Sequence, residues 1–456
     1  MGKRFDFEYI VIGGGVAGTT AALRLAKAKR KVALIEQNKW GGAGTTSRDV
    51  PQKALFSFSH LYARAVAGNR FGISSANLRY NYPTITHWKD KAVENATPKK
   101  KDLEAAGVTC LKGKAHFVGT NDVAVGDGKI SASKFIIATG AEAADNGISG
   151  LDTVKYYTPA TALNIERPPK AVLVVGGGPS GVEIAQYYAE LGARVVIVEL
   201  SSRLLPKEDE EVGQLMGQFF SRRLGIKTFA NTRVTALEKD KNGNKVVFMH
   251  NGQEKSVRVE TIVLATGSKP ALDIGLQNAR VSFDKTGLVV DKMLQTSARN
   301  IYGAGDVLGG DSSTERAMYT AEMAVSNMIG RTKTYVDFSG FMRTVDTDPQ
   351  IATVGMTEDE LAKRSRKYKK VLIPLSAVQA SITSDNKVGF LKLMANGQGH
   401  ILGATAVCPQ AAEVLQEVAL AIRHNLPLVQ MASTPHVAGA WSELVHVAAR
   451  ELLTKK

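Results

Sequence analysis

Short apolar runs followed by glycine clusters punctuate the chain, and their order predicts its architecture. YIVI runs into Gly13-Gly14-Gly15, a helical stretch follows, and VALIE closes at Glu36; AVLVV, a second glycine cluster and VVIVEL repeat the arrangement around Gly176 and Glu199. Each copy reads as strand, tight turn, helix, strand. Beyond the first copy, ALFSFSHLYARAVAG has helical periodicity, a polar stretch runs from Asn69 to Pro83, and helix resumes from Trp88 to Ala106. Short strands with Gly and Asn-Asp turns then lead to Ala138-Thr139-Gly140. A linker containing Pro168-Pro169 opens onto the second copy, whose strands end at Ala265-Thr266-Gly267. Ser312 and Glu315 predict a capping box for a further helix, as do Thr357 and Glu360. The closing segment alternates a strand and a capped helix with a hairpin, a strand and a helix.

The glycines give the two copies their chemistry. Gly13, Gly15 and Gly18 fit G-x-G-x-x-G, in which missing side chains allow the turn, the approach of a pyrophosphate and close helix–strand packing. The helix N-terminus is then placed to hold phosphate. Glu36 follows Gly13 by 23 residues, where a carboxylate accepts hydrogen bonds from both ribose hydroxyls of an adenosine. Gly176, Gly178 and Gly181 repeat the pattern, and Glu199 follows Gly176 by the same 23 residues. The expectation is an internal duplication with two dinucleotide sites.

With 456 residues the chain can bury several cores, as an α/β protein of two to four domains. The early first strand leaves no room for a signal peptide, and no apolar run approaches a membrane span, so a cytoplasmic location without membrane span is expected. The two cysteines, Cys110 and Cys408, lie in strand-like runs far apart, without metal or redox spacing, and read as buried small hydrophobes. The formal charge of +15 points to acidic cofactors or an acidic protein partner. The basic residues are not interleaved with aromatics, and no nucleic-acid binding is expected.

These features, with the WGGAGTTSRDVPQKAL segment after Glu36, resemble the flavin-dependent pyridine nucleotide–disulfide oxidoreductases, such as dihydrolipoamide dehydrogenase, glutathione reductase and mercuric reductase. The resemblance implies an α/β fold of two Rossmann-like dinucleotide-binding domains plus a C-terminal α+β dimerisation domain, hence a homodimer. It divides the chain into an FAD-binding domain over 1–150, an NAD(P)-binding domain over 151–270, a central region completing the FAD site over 271–337, and the dimerisation domain over 338–456. It assigns Gly13, Gly15, Gly18, Glu36, Gly42, Lys53, Thr139, Gly140 and Asp306 of Gly303-Ala304-Gly305-Asp306 to FAD. Gly176, Gly178, Gly181, Glu183, Glu199 and Gly267 are implied to serve the nicotinamide nucleotide. Lys53 and Glu183 match the family's ion pair beside the flavin where hydride arrives. An acid at Glu199 favours NADH, while Arg203 nearby keeps NADPH open. Pro179 stands where many relatives carry an aromatic lid, which implies an open nicotinamide pocket. The helix after Ser312 is implied to aim its N-terminus at the flavin's pyrimidine edge.

The resemblance fails selectively. The family's segment reads G-G-T-C-x-x-x-x-C-x-P-x-K; here Gly41, Gly42, Pro51 and Lys53 match, but Gly44 and Asp49 replace the redox cysteines. The family's closing H-P-T-x-x-E aligns on Glu443 with Ala438 in place of its histidine, while His436 matches a companion histidine. Loss of the thiols and of their acid–base partner is coherent, since that group has no task without a thiolate. The expected activity is therefore an FAD-dependent NAD(P)H oxidoreductase whose reduced flavin delivers electrons to a quinone, small oxidant or oxygen. Asp49 and His436 join Lys53 and Glu183 as candidate catalytic residues. For Asp49 the other reading is a solvated loop acid paired to Arg48 or Lys53, for His436 an interface histidine, and for Glu183 a salt-bridge partner on an exposed helix face. A soluble transhydrogenase and a catalytically retired flavin-bound scaffold are the competing functions.

Overall fold

A computed structural model describes residues 4–144, 147–241 and 243–455. The chain forms two compact units, one of Met1–Leu55, Asn81–Asn146 and Gly267–Asp337, the other of Phe56–Tyr80, Gly147–Thr266 and Phe338–Lys456. The fold is mixed α/β.

In the first unit, parallel strands run in the order Val108–Lys112, Val32–Glu36, Phe7–Ile12 and Gly128–Ile137, and Ile301–Gly303 pairs with the last. Their near-continuous Val, Ile, Leu and Ala content follows from burial on both faces. The helices Val16–Lys27 and Thr314–Ile329 share one core, where Ala17, Ala21, Ala317 and Ala321 keep the contacting faces small. Gly128–Ile137 extends beyond the parallel part to pair antiparallel with Asp122–Val125, which pairs with Ala115–Phe117. Both Ala-Thr-Gly segments feed one antiparallel ribbon, Ala141–Ala143 against Ser268–Pro270.

The second unit repeats the theme. Lys227–Phe229, Arg194–Val198, Ala171–Val175, Thr261–Leu264 and Tyr156–Tyr157 form a parallel sheet in that order. An antiparallel three-stranded sheet spans Thr232–Asp240, Gly243–His250 and Gln253–Val259. The C-terminal segment builds a five-stranded antiparallel sheet with Ile401–Cys408 at its centre and the helices Gln416–Arg423 and Glu443–Thr454 packed into the same core. Lys392 in this sheet is fully buried, its Nζ 3.0 Å from Asp209 and 2.8 Å from each of Glu211 and Glu358. Asp209 also accepts from the Thr405 hydroxyl at 3.0 Å and from the Glu358 N–H at 2.9 Å. Three carboxylates thus close around one ammonium, tying the start of the Glu210–Leu224 helix to the C-terminal sheet.

Sequence patterns and structure differ in where two helices begin. Ser313, not Ser312, caps the Thr314–Ile329 helix, accepting from the Arg316 N–H at 3.2 Å; Glu315 falls one position short of reciprocating. The helix expected from Phe56 begins at Asp49, so the segment bearing Asp49 and Lys53 is its first turns rather than a loop. Thr357 and Glu360 do form a capping box, and Cys110 and Cys408 are buried in strands as expected. Among the described residues no helix is long and apolar enough to cross a membrane.

Candidate functional site

Gly13 ends the first strand at φ +105°, a conformation that side chains rarely adopt, and a Cβ there would collide with the Ala138 carbonyl. A Cβ on Gly18 would strike the Gly13 carbonyl, so the helix seats directly on the turn. Gly15 faces open space apart from the Gly42 Cα, 3.7 Å from where its Cβ would stand. The backbone before the Val16–Lys27 helix is thereby left clear at a helix N-terminus, the arrangement that receives phosphate. Gly41 bridges Gly15 in parallel, and a Cβ on Gly42 would come within 2.5 Å of the Gly15 Cα. The Gly41-Gly42 pair is therefore required for the second loop to close on the first.

Glu36, buried at the end of its strand, is fixed through both oxygens: Oε2 accepts from the Gly14 N–H at 2.6 Å and Oε1 from the Asn38 N–H at 2.5 Å. The second unit repeats this almost atom for atom. Glu199 is buried, with Oε2 accepting from Gly177 at 2.5 Å and Oε1 from Ser201 at 2.6 Å. Gly176 has φ +105°, and its Cβ would lie 2.5 Å from the Ala265 carbonyl oxygen. A Cβ on Gly181 would strike the Gly176 carbonyl, while Gly178 faces open space. Two cradles of identical construction fit two dinucleotides.

One Arg203 Nη donates to the Glu208 carbonyl at 3.0 Å and approaches the Pro206 carbonyl and an Asp359 oxygen, each at 3.4 Å, while its buried Nε has no partner among the described residues. Pro179 occupies the first helical position after Gly178, where a missing N–H costs nothing.

In the first unit the segment after Gly42 forms a short helix, Gly42–Thr46, and the longer helix starts at Asp49. A Cβ built on Gly44 would lie 3.4 Å from Asp49 Oδ2 and 3.2 Å from Thr314 Oγ1. The two positions that hold cysteines in the resembled family thus face each other here. The Thr314 hydroxyl donates to the Asp49 carboxylate, placing that charge at the N-terminus of the Thr314–Ile329 helix, where it is favoured. Arg48 holds its Nε 4.0 Å from Asp49 and its Nη2 3.5 Å from Asp306. Asp306 follows Gly305, whose N–H donates to Thr320 at 2.9 Å. Arg316 anchors the intervening loop through the Gly309 and Asp311 carbonyls at 2.7 and 3.1 Å. Burial lowers its pKa, opposed by the charges of Asp306 and Asp311.

Thr139 donates to the Ala271 carbonyl at 2.7 Å, and Gly140 and Gly267 both have positive φ at the mouths of the ribbon strands. Lys53 lies one turn into the Asp49–Val66 helix. In the second unit Glu183 is buried, not on an exposed face, and Oε1 accepts from the Asp346 N–H at 2.7 Å. His436 is elsewhere in that unit, with Nε2 3.0 Å from both oxygens of Glu417 and Nδ1 2.9 Å from the Thr434 carbonyl. Glu443, the family's orienting acid, instead accepts from the Gly439 N–H at 3.3 Å. Sequence reasoning missed Thr314 and Asp346: each is an ordinary residue brought beside a candidate by folding, without a local signal.

Residues 7–327 match the pyridine nucleotide-disulphide oxidoreductase family, and residues 341–449 match its dimerisation domain. A mercuric reductase of Bacillus cereus is 30% identical over 435 residues, covering 94% of this chain and 69% of that protein. A dihydrolipoyl dehydrogenase of Geobacillus stearothermophilus is 28% identical over 461 residues, covering 98% and 96%. Among solved structures, the HOCl-induced flavoprotein disulfide reductase RclA of Escherichia coli superposes with a TM-score of 0.86 at 25% identity, covering 98% of this chain and all of that one. LpdA of Mycobacterium tuberculosis shares the fold, with a TM-score of 0.87 at 24% identity and coverage of 97% and 99%. Members of the family bind FAD and NAD(P)H. With both glycine cradles, their buried acids and the dimerisation segment in place, this chain belongs to the pyridine nucleotide-disulphide oxidoreductase family.

Proposed function

We propose that the chain is an FAD-dependent NADH oxidoreductase whose electrons leave from the reduced flavin to a small non-disulfide acceptor, a quinone or dioxygen. The observation that carries this reading is the facing pair Gly44 and Asp49, where a Cβ at one position would lie 3.4 Å from the carboxylate at the other without a thiol between them. No other cysteine can stand in. Cys408 is buried, its thiol pushed up to about 12 by burial and then by Glu413, and Cys110 is buried in a strand with its thiol raised by the same cause. A thiol so raised is not the thiolate that disulfide exchange requires.

Bound FAD would supply a carrier that accepts two electrons together and releases them singly or in pairs. The chain's own residues do the rest. The clear backbone at Gly15 and the buried Glu36 suit the pyrophosphate and adenosine ribose, and Asp306 suits a hydroxylated chain. Glu199, Gly176, Gly178 and Gly181 suit the second nucleotide. The Glu199 carboxylate would repel a 2′-phosphate, and the Arg203 Nη that would offset it is turned to the Pro206 and Glu208 carbonyls and Asp359. This supports NADH over NADPH. Lys53 and Glu183 are assigned to the place where hydride arrives. Asp49, held by Thr314, is assigned to proton handling or tuning at the acceptor side. The dimerisation match and the exposed apolar side chains of Leu420, Val429 and Val437 support a homodimer.

Anaerobic titration with NADH, followed by a screen of acceptors, tests the reading. One electron pair stored per flavin and rapid reoxidation by quinone or oxygen are expected. A second stored pair, or fast reduction of lipoamide or glutathione disulfide, would overturn it. Hydride exchange with NADP⁺ analogues would turn the assignment to a transhydrogenase, and failure of NADH to bleach the flavin would leave only a scaffold.

A further inference from the structure

One stripe of the Pro179–Glu190 helix grips a single loop of the second unit. Glu183, Gln186 and Glu190 lie three and four residues apart on one face. Glu183 accepts from the Asp346 N–H at 2.7 Å. Gln186 clamps Asp348 from both sides, its Oε1 accepting from the Asp348 N–H at 3.2 Å and its Nε2 donating to the Asp348 carbonyl at 3.0 Å. Glu190 accepts from Gln186 at 2.8 Å and turns its carboxylate to His60.

His60 completes the grip. Its Nδ1 lies 2.9 and 3.1 Å from the two Glu190 oxygens, and its Nε2 lies 3.2 Å from the Asp346 carbonyl. A carboxylate and a carbonyl only accept, so both ring nitrogens must carry hydrogen and the ring is an imidazolium. The charged groups around it agree. Glu190 comes from one helix and Asp346 and Asp348 from the loop; Arg64, on its own helix, is paired to Asp348 at 2.8 Å. Burial opposes the charge, but the hydrogen bond and charge of Glu190, with Asp348 and the Asp346 carbonyl, raise the pKa.

We propose that protonated His60 is a positioning residue for Glu183: it holds the Asp346 carbonyl so that the adjoining Asp346 N–H stays fixed on the Glu183 carboxylate. The inference rests on the assignment of Glu183 to the arrival of hydride. When His60 loses its proton, one of its two contacts sets acceptor against acceptor, the loop slackens, and Glu183 loses the donor that orients it. Flavin reduction then falls as pH rises, while nucleotide affinity, set by the glycine loop and Glu199, does not.

Nitrogen NMR of selectively labelled histidine in the FAD-loaded protein reads the ring directly. Both His60 nitrogens should stay protonated at a pH where a free imidazole has already lost its proton. A neutral ring there overturns the proposal, whatever the activity. Anaerobic stopped-flow reduction by NADH gives the second readout. The wild-type rate should fall in step with the loss of the ring proton seen by NMR, with nucleotide affinity unchanged. His60→Gln should be roughly tenfold slower, without that alkaline limb, and His60→Arg, a permanent cation, should recover most of the rate. If Glu183→Gln is slow while His60→Gln keeps both the wild-type rate and its pH profile, the positioning role fails alone. If Glu183→Gln reduces flavin at the wild-type rate, the hydride assignment fails and this proposal falls with it.

Discussion

The Asp49 carboxylate accepts a hydrogen bond from the Thr314 hydroxyl, joining the start of one helix to the start of another 265 residues along the chain. That contact occupies the space into which a cysteine at position 44 would point, since a Cβ built there lies 3.2 Å from Thr314 Oγ1 and 3.4 Å from Asp49 Oδ2. The two positions still face each other although the thiol chemistry is absent.

Restoring the chemistry should therefore be possible. The double variant Gly44→Cys/Asp49→Cys should form a disulfide on oxidation and take up a second electron pair per flavin, because a Cβ at position 44 points at the side chain of position 49. Thiol counting before and after anaerobic NADH reduction measures it. Unchanged thiol content would show that the two positions do not meet closely enough.

Nucleotide choice should yield to a single change. Glu199→Ala removes the acceptor for the Gly177 and Ser201 N–H groups and, on the proposed reading, the ribose partner. Its NADH kcat/KM should drop about tenfold, the scale of one charge-assisted hydrogen bond, with a smaller loss for NADPH. Equal losses with both cofactors in steady-state assays would argue against contact with the 2′-position.

The buried ammonium of Lys392 offers a stability test. Lys392→Ala strips the buried Asp209 of its ammonium and leaves Glu211 and Glu358 with Lys370 as counter-charge. Breaking such a site costs about 3–5 kcal/mol. Urea unfolding of the C-terminal sheet, followed by tryptophan fluorescence, should show it; a loss below about 1 kcal/mol would mean that the carboxylates rearrange or take up protons.

Acid should act on the same cluster. Burial opposes ionisation of Glu358, but hydrogen bonds from Lys370, Lys392 and Tyr368 outweigh it and hold the carboxyl at about 2 against an ordinary 4.5. Its folded pKa is depressed, so its stabilisation is complete above 4.5 and drains away as pH falls toward 2. Unfolding midpoints measured across this window should slope downward with acid, and Glu358→Gln should flatten the slope. An identical slope in the variant would assign acid lability to other groups.

Much of the fold was legible because it is written locally. The glycines at 13, 15 and 18, the acid at 36 and their echo around Gly176 dictate backbone shape within a few dozen residues, so pattern alone reaches them. Partners such as Thr314 for Asp49, or Asp346 for Glu183, are set by packing across hundreds of residues, and neither type nor spacing announces them. The shifted cap has a smaller cause. Ser312 and Ser313 are chemically equal caps, and the helix start falls so that Ser313 meets the Arg316 N–H, a one-residue choice that composition cannot make. Lys392 shows the converse: a strand lysine reads as solvent-facing, and only three acids, two from one helix start and one from another, make its burial tolerable.

The matching grips on Glu36 and Glu199 carry a lesson for redesign. Since both carboxylates are pinned by the same pair of amides in the same order, these grips alone do not tell FAD from NAD, although either acid disfavours a 2′-phosphate. The two halves differ just downstream, where Trp40-Gly41-Gly42 folds back in one and Arg203 anchors the bend before Asp209 in the other. An engineer wishing to exchange cargo between the halves should leave the glycines untouched and rewrite those bends.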